Sequence, residues 1–444
     1  MFSPQVETAS REELHKWQSE GLIRTVEAVY KHVPFYRDRF VEAGVQPHDI
    51  QSISDITTLP FTKKQDLRDH YPFGLLAVPK QKLARIHASS GTSGKPTIVG
   101  YTKKDLKHWG EMTARAIVAA GGSESDLIHN AYGYGLFTGG LGLHGGIEAL
   151  GAAAIPVSGG NTERQILLLQ DLQPDGICAT PSYMISLIEK MEQMGCSPAS
   201  IGLKYGIFGA EPWSEEMRTK LEQKLGIKAI DIYGLSEVLG PGVSAECHQG
   251  QNGLHIAEDH FLVEVINPET LEPVEEGTFG ELVFTSLTKE ALPIIRYRTG
   301  DIAALTTAPC SCGRTTARMT RVKGRTDDMF IIRGVNVFPS EMERVLLEME
   351  ELVPHYQIHR IQQGSMEAAR VHVEVCEQFY QQVNGDLMHD HVHVLKKTIA
   401  KQLKSTCLIS VEIVLEKPGG IPRSEGKAIR IIDHRHKQQE GVAK

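Results

Sequence analysis

Apolar residues recur with helical spacing from Leu14 to Val29, and Pro34 ends this run. Such spacing is the pattern of an amphipathic helix, which a proline cannot continue. From about residue 125 to residue 235, short apolar runs alternate with amphipathic segments. This alternation predicts a mostly parallel sheet covered by helices. The predicted strands are residues 152–157, 176–180, 203–208 and 229–233, and the predicted helices are 162–171, 182–194 and 214–225.

The pattern changes to alternating apolar and polar positions at residues 261–266 and 280–285, with turn residues between them. This alternation predicts antiparallel strands. Beyond Arg325, short strands (356–361, 369–375, 411–415) mix with helices (340–350, 387–403). We therefore predict an α/β fold with mostly parallel sheets, an antiparallel β segment and a small C-terminal α+β domain. The predicted domains are residues 1–326 and 327–444.

The composition is that of a globular protein, since 41% of the 444 residues are hydrophobic and 23% are charged. A formal net charge of −8 argues against a general nucleic-acid binder, which would carry a basic surface. No segment holds the roughly 18 apolar residues that a membrane span requires. The first residues lack the features of a secretory signal, and seven cysteines form an odd set typical of a reducing compartment. These features predict a cytoplasmic, multi-domain enzyme without a nucleic-acid or membrane partner.

Residues 89–97 concentrate hydroxyl groups, glycines and a lysine in the sequence Ser-Ser-Gly-Thr-Ser-Gly-Lys-Pro-Thr. Backbone N–H groups, hydroxyls and an ammonium group are what bind a polyphosphate. The loop is not a Walker A motif, because Ser89 and Pro96 stand where that motif needs glycine and a serine or threonine. A second glycine-rich run at residues 140–145 lacks a convincing strand before it, so we interpret it as close helix packing beside a ligand pocket.

Five further motifs follow the 89–97 loop in a fixed order. They are Gly-Ala-Glu-Pro at 209–212, Asp-Ile-Tyr-Gly-Leu-Ser-Glu at 231–237, Tyr-Arg-Thr-Gly-Asp at 297–301, Gly-Arg-Thr-Asp-Asp at 324–328 and Pro-Arg-Ser-Glu-Gly-Lys at 422–427. Together they resemble the adenylate-forming superfamily of acyl-CoA synthetases, luciferases and peptide-synthetase adenylation domains. Within this superfamily, the sequences at 287–293, 333–340 and 422–427 are similar to those of phenylacetate–CoA ligases. The resemblance covers nearly the whole chain.

The resemblance implies an ATP site. In that site the 89–95 loop holds the β- and γ-phosphates, and Tyr233 lies against the adenine ring with residues 209–211 on its other side. Asp301 accepts hydrogen bonds from the ribose hydroxyls, and Arg325 lies nearby. The implied nucleotide-binding residues are Ser89, Ser90, Gly91, Thr92, Ser93, Gly94, Lys95, Gly209, Ala210, Glu211, Asp231, Ile232, Tyr233, Gly234, Ser236, Asp301 and Arg325.

The resemblance also implies a reaction in two steps at one site. In the first, a carboxylate attacks the α-phosphate of ATP, with Lys427 as the catalytic cation and Glu237 holding Mg²⁺. In the second, coenzyme A takes the acyl group and AMP leaves. The small domain rotates between the steps about Asp327, and Gly334 lines the coenzyme A tunnel.

We expect the acid pocket between residues 132–137 and 232–241. Tyr132, Phe137, Ile232 and Pro241 offer apolar and aromatic walls that suit a flat ring. An aromatic acid is the expected substrate class, and phenylacetate is the leading candidate. Two other functions stay open: adenylation with a different acceptor, such as a carrier-protein thiol or a cofactor, and nucleotide binding without catalysis. A homodimer is expected from the resemblance alone.

Cys310 and Cys312 form a tight pair between two turn residues, and Cys247 and His255 lie upstream. Three cysteines and a histidine are a permitted set for structural zinc, although such sites usually show tighter spacing. His248 and His260 compete with His255 as the fourth ligand. The sequence favours a structural zinc site over reduced thiols in a loop.

Overall fold

A computed structural model describes residues 1–89, 96–326, 330–332, 335–363, 366–407, 409–423 and 428–434. The chain divides into two units, each built from segments that are distant in sequence. The first unit is Met1–Ala179, Ala199–Ala210 and Gly226–Val322. The second is Thr180–Pro198, Glu211–Leu225 and Lys323–Lys444. The domain boundary between residues 326 and 327 stays a prediction.

The N-terminal helical run forms α2 (Arg11–His32), as predicted. Ser10 caps this helix reciprocally with Glu13, because each side chain accepts a hydrogen bond from the other residue's backbone N–H. Pro34 ends the run and begins the next helix, a position that needs no N–H donor. The other helices of the first unit are α1 (Pro4–Glu7), α3 (Pro34–Glu42), α4 (Lys64–Asp69), α5 (Lys103–Ala119), α6 (Thr138–Leu150) and α7 (Thr162–Leu172), with 3₁₀ helices at Pro47–Asp49, Ile53–Thr58 and Lys80–Lys82.

A nine-stranded sheet forms the centre of the first unit. One half is parallel and the other is antiparallel, and the change occurs at β7 (Lys228–Leu235). In spatial order its other strands are β13 (Leu305–Thr306), β14 (Arg318–Met319), β9 (Leu254–Ile256) and β8 (Gly240–Ala245) on the antiparallel side, and β6 (Tyr205–Gly209), β5 (Gly176–Ala179), β3 (Leu127–Asn130) and β4 (Ala153–Ile155) on the parallel side. Every residue of β5 and β6 is buried, as expected for parallel strands covered on both faces.

Two smaller antiparallel assemblies complete the first unit. One is the pair β1 (Arg85–Ala88) and β2 (Ile98–Tyr101). The other joins β10 (Phe261–Ile266), β11 (Gly280–Ser286) and β12 (Tyr297–Ala303), which confirms the predicted antiparallel segment. Their apolar faces share a core with α2 and α5, in which Phe261, Phe284 and Trp109 are buried.

The second unit contains a four-stranded sheet with its own core. Its central strands β18 (Leu352–Gln363) and β19 (Met366–Val375) are antiparallel, and β21 (Ile431–Asp433) and β20 (Glu412–Glu416) flank them in parallel. The helices are α8 (Pro181–Gln193), α9 (Glu215–Leu225), α10 (Pro339–Leu347), α11 (Glu377–Gln382) and α12 (Asp390–Cys407), and the remaining strands are β15 (Gly324–Arg325), β16 (Phe330–Ile332) and β17 (Val335–Val337). Within the described residues, no helix has the length and apolarity that a bilayer crossing needs.

Candidate nucleotide and acid site

Several of the predicted nucleotide residues of the first unit lie on two neighbouring parallel strands, β6 and β7, or directly after them. Gly209 ends β6, and residues 231–234 lie in β7 beside it. Ala210 follows β6 in the left-handed region with a φ of 71°. Ligands of open α/β sheets bind at the carboxyl ends of the strands. This edge of the sheet is therefore the candidate nucleotide site.

Two glycines at this edge are required by close backbone approaches. A Cβ on Gly209 would lie 2.1 Å from the Ile232 carbonyl oxygen. A Cβ on Gly234 would lie 1.8 Å from the Gly240 carbonyl oxygen. No side chain fits at such distances, so both glycines keep the strand ends close together.

Tyr233 and Asp301, predicted to contact adenine and ribose, are brought together across the first unit. The Tyr233 hydroxyl donates to Asp301 Oδ2 at 2.6 Å, and the Tyr233 ring stacks on Phe284 with centroids 6.1 Å apart. The stacked ring and the carboxylate are thus held in fixed relative positions. Asp231 differs, because its carboxylate lies 3.4 Å from Arg321 Nε and its backbone N–H donates to Glu246.

Glu237, the predicted Mg²⁺ ligand, is nearly buried and has a cation beside it. Lys64 Nζ lies 3.8 Å from Glu237 Oε1, and the neighbouring Ser236 hydroxyl lies 3.0 Å from Thr138 Oγ1. Lys289 is buried to the same degree as Glu237, and its ammonium group donates to the Val238 carbonyl at 3.0 Å. Burial lowers the pKa of Lys289 to about 8. The Glu237 carboxylate, two residues after the end of β7, is an oxygen ligand that suits Mg²⁺, and the neighbouring ammonium group of Lys64 suits phosphates.

The four predicted acid-pocket residues lie in the first unit. Tyr132 and Ile232 belong to one buried apolar cluster. A Cβ on Gly139 would lie 2.7 Å from the Phe137 ring and 3.2 Å from the Tyr132 ring, so both aromatic rings adjoin this glycine. The glycine-rich run lies in α6, which confirms close helix packing there: a Cβ on Gly142 would meet Pro241 at 2.8 Å and Trp109 at 2.3 Å.

Several predicted site residues lie outside the described residues or in the second unit. Ser89 follows β1, and its N–H donates to the Thr97 carbonyl oxygen, so the described residues on either side of the predicted phosphate loop adjoin β1 and β2. Arg325 lies in β15 of the second unit. The predicted residues outside the described ranges are Ser90, Gly91, Thr92, Ser93, Gly94, Lys95, Asp327, Gly334 and Lys427.

Glu211 makes two contacts that its predicted place beside adenine does not suggest. Its carboxylate accepts a hydrogen bond from the Ser182 N–H at 2.8 Å and another from the Ala428 N–H at 2.9 Å. All three residues belong to the second unit. Glu211 therefore links the start of α8 to the residue that directly follows Lys427.

Cys247, His255, Cys310 and Cys312 lie together in the first unit, with their ligand atoms all within 4.8 Å of one another. Cys247 and Cys310 sulfurs are 3.6 Å apart, and Cys312 Sγ lies 3.4 Å from His255 Nε2. Thr316 lies 3.2 Å from the other ring nitrogen of His255. Burial lowers the pKa of His255 to about 4, which keeps the imidazole neutral.

The competing histidines make other contacts. His248 Nδ1 donates to the Ala119 carbonyl at 3.1 Å, and His260 Nδ1 lies 2.7 Å from the Thr288 hydroxyl. Neither belongs to the cluster of potential metal ligands. The structure therefore groups the three cysteines with His255.

The family model for AMP-binding enzymes matches residues 7–288, and the model for their C-terminal domain matches residues 334–435. A phenylacetate–coenzyme A ligase of Thermus thermophilus is 52% identical over 98% of this chain and 100% of that protein. A phenylacetate–coenzyme A ligase of Escherichia coli is 50% identical over 97% of each. The chain belongs to the phenylacetate–CoA ligase family of adenylate-forming enzymes.

Solved structures agree with this family membership. A 2-hydroxyisobutyryl-CoA ligase in the postadenylation state with 2-HIB-AMP is 29% identical and covers 98% of this chain and 93% of that chain, with a TM-score of 0.91. The same enzyme in the thioesterification state with 2-HIB-AMP and CoA gives a TM-score of 0.72, at 29% identity over 99% and 94% of the two chains. Members of the phenylacetate–CoA ligase family are AMP-forming acid–CoA ligases, and the predicted fold and enzyme class are confirmed.

Sequence reasoning did not find several side chains that adjoin the predicted site residues of this family member. Lys64 and Thr138 contact Glu237 and Ser236. Trp109 adjoins Gly142, and its indole N–H donates to the Pro241 carbonyl at 2.9 Å. Trp109 lies on the apolar face of an amphipathic helix, where the sequence indicates only core packing.

Proposed function

We propose that this enzyme activates phenylacetate with ATP and transfers the phenylacetyl group to coenzyme A. The observation that carries the proposal is 52% identity to a phenylacetate–coenzyme A ligase over essentially the whole of both chains. The hydrogen bond between Tyr233 of β7 and Asp301 of β12 supports the ATP site. The aromatic rings beside Gly139 and Gly142 support a flat apolar acid.

In the first step, a carboxylate oxygen attacks the α-phosphate of ATP, and the bond to pyrophosphate breaks. Lys427 neutralises charge on the α-phosphate and the attacking carboxylate, and the 89–95 loop binds the leaving phosphates. Glu237, with its nearly buried carboxylate, would hold Mg²⁺, which supplies positive charge to the phosphates when bound. Positioning is the main task, because the chemistry needs little covalent help from the protein.

In the second step, the thiol of coenzyme A loses its proton and attacks the carbonyl carbon. The bond between that carbon and the AMP oxygen breaks, which gives the thioester and AMP. Asp327 as the hinge and Gly334 as part of the coenzyme A tunnel belong to this step of the proposal. The proposal also includes the division of the chain into a catalytic domain, residues 1–326, and a mobile domain, residues 327–444.

Acid-dependent exchange of pyrophosphate into ATP, followed by thioester detection after CoA is added, tests this function. We expect both activities, and the highest kcat/KM with phenylacetate in a panel that includes benzoate, cinnamate and hexanoate. Exchange without thioester would contradict CoA as the acceptor. Exchange that is strongest with hexanoate would contradict the aromatic pocket.

We also propose a structural zinc ion held by Cys247, His255, Cys310 and Cys312. Tetrahedral zinc with Zn–S bonds of about 2.3 Å places ligand sulfurs roughly 3.5–4 Å apart, and the Cys247–Cys310 separation of 3.6 Å fits. The hydrogen bonds from Gly250 N to Cys247 Sγ and from Arg314 N to Cys312 Sγ are the outer contacts that orient such ligands. Four protein ligands leave no open position, so the ion would be structural.

Metal analysis of the purified protein tests the zinc site, with Cys312→Ser and Cys196→Ser as a matched pair. We expect one zinc per chain in the wild type and in Cys196→Ser. Cys312→Ser should lose zinc and melt at a lower temperature. Zinc at equal occupancy in both variants would contradict the proposed ligand set.

We further propose that the enzyme is a cytoplasmic homodimer. Because ATP and coenzyme A are the substrates, we place the enzyme in the cytoplasm. The family resemblance supports a homodimer. Light scattering coupled to size exclusion should give twice the chain mass, and a single-chain mass would contradict the dimer.

A further inference from the structure

Glu374, near the end of β19, is a carboxylate with no solvent exposure. It accepts hydrogen bonds from the backbone N–H of Gly419 at 3.1 Å and of Ile421 at 2.7 Å. The Arg423 guanidinium forms a bidentate ion pair with the same carboxylate: Nη2 lies 2.8 Å from Oε2, and Nη1 donates a hydrogen bond to Oε1. A buried carboxylate is costly unless its oxygens are paired and hydrogen-bonded. Glu374 therefore fixes the segment that runs from Gly419 to Arg423.

Arg423 also reaches a second carboxylate. Its Nη2 lies 3.5 Å from Oε2 of Glu189 on α8, and Nε2 of the buried His355 lies 3.0 Å from both Glu189 oxygens. Burial raises the pKa of Glu189, but the His355 hydrogen bond and the charge of Arg423 outweigh it, so the pKa is lowered. These four residues form what we term the carboxylate chain: Glu374, Arg423, Glu189 and His355.

The carboxylate chain lies close in sequence to the predicted catalytic cation. Arg423 precedes Lys427 by four residues, and Ala428 follows it directly. The Ala428 N–H is held by Glu211, whose other oxygen is bonded to the start of α8 at Ser182. The described residues on both sides of 424–427 are thus bonded to carboxylates on or beside α8.

We propose that Glu374 and Glu189 are positioning residues for the adenylation step, because they hold Arg423, which precedes the predicted catalytic cation Lys427 by four residues in the sequence. The inference rests on the proposed function and on the predicted role of Lys427. Transition-state stabilisation by a cation depends steeply on distance, and a displacement of about 1 Å can lower a rate on the order of a hundredfold.

The test compares Glu189→Gln with Glu192→Gln, a change on the same helix. Glu192 is exposed and pairs with Lys224 at 2.6 Å, so it matches Glu189 in residue type and in having a cation partner. Two rates are measured in the full-length enzyme: acid-dependent ATP–pyrophosphate exchange, and thioester formation from pre-formed phenylacetyl-adenylate and CoA. Glu189→Gln should lower kcat for exchange about tenfold, with KM values and thioester formation within twofold of wild type. Glu192→Gln should change neither rate.

Glu374→Gln and Glu374→Asp extend the test. Glu374→Gln should lower the exchange rate more than Glu189→Gln does. Glu374→Asp keeps the negative charge, so its exchange rate should lie between those of Glu374→Gln and the wild type. An equal loss of both half-reactions in Glu189→Gln, or no loss of exchange, would overturn the inference. If Glu374→Gln does not fold, Glu189→Gln decides the result. Failure of the proposed function is distinguishable, since the wild type itself would then show no acid-dependent exchange.

Discussion

The candidate acid pocket and the carboxylate chain are built in opposite ways. The pocket uses uncharged residues, and its shape depends on the missing side chains of Gly139 and Gly142. The carboxylate chain uses charged and ionisable side chains between positions 189 and 423, and each depends on a partner far away in sequence. Steric space defines the first region, and electrostatic pairing defines the second.

This difference decides how each region responds to substitution. An added methyl group in a packed pocket forces its neighbours to move, which changes the fit of one substrate. A charge lost from the carboxylate chain leaves a buried partner unpaired, which is strongly unfavourable. We therefore expect substrate-selective defects from the pocket and step-selective defects from the carboxylate chain.

The largest effect is expected from Lys427→Ala, four residues after Arg423 in the sequence. Loss of the predicted catalytic cation should lower acid-dependent ATP–pyrophosphate exchange by about a hundredfold or more. Thioester formation from pre-formed phenylacetyl-adenylate should stay within a few-fold of wild type. The control is Lys417→Ala, which changes an exposed lysine and should leave both rates within a few-fold of wild type. Equal loss of both steps would remove the step selectivity on which the comparison rests.

A smaller effect is expected from Gly142→Ala in the pocket. The new Cβ would lie 2.3 Å from Trp109 and 2.8 Å from Pro241, so these walls must shift. The KM for phenylacetate should rise about tenfold while the KM for ATP stays within twofold, which corresponds to about 1.4 kcal/mol in binding. Steady-state kinetics measures both constants.

Gly145→Ala is the matched control, because it lies on the same helix and its Cβ would meet nothing within 4 Å. Alanine there should leave both KM values unchanged and stabilise the helix by about 0.5–1 kcal/mol. Equal KM changes in the two variants would mean that α6 affects the acid site through helix stability rather than through space at Gly142.

The smallest effect is expected on the free energy of unfolding, from His260, which is buried beside Asp259 in the first unit. Burial lowers the pKa of His260 to about 4, although Asp259 opposes this shift. The unfolded chain binds a proton near pH 6.5 that the folded His260 does not, so stability falls as the pH falls. Urea unfolding should show a loss of about 1 kcal/mol from His260 between pH 6.5 and 5.5.

His260→Gln should remove this contribution, whereas His15→Gln, at an exposed histidine, should retain it. An unchanged pH dependence in His260→Gln would show that other groups govern stability in this range.

Local pattern was sufficient to predict most of the fold. The buried runs at 176–180 and 203–208 are strands β5 and β6, and the alternating runs at 261–266 and 280–285 are antiparallel. The spacing of apolar residues and the presence of turn residues depend only on neighbouring positions, so a single sequence is enough to identify them. The family resemblance of the ordered motifs likewise located Tyr233 and Asp301, which the structure joins by a hydrogen bond.

Partners distant in sequence could not be predicted. Nothing near Glu189 indicates that its side chain contacts His355 and Arg423, because a glutamate on an amphipathic helix is normally exposed. Glu374 lies in a strand whose pattern indicates only a buried face. Such pairs form only when the chain folds, so they are visible in the three-dimensional structure and not in the sequence.

The fate of the carboxylate oxygens tests the central claim, acid activation through an adenylate, most directly. Phenylacetate labelled with ¹⁸O in both carboxyl oxygens is incubated with the enzyme, ATP, Mg²⁺ and CoA, and the products are analysed by mass spectrometry. Attack on the α-phosphate predicts one ¹⁸O in AMP, one in phenylacetyl-CoA and none in pyrophosphate. Formation of ADP with ¹⁸O in inorganic phosphate would contradict the account.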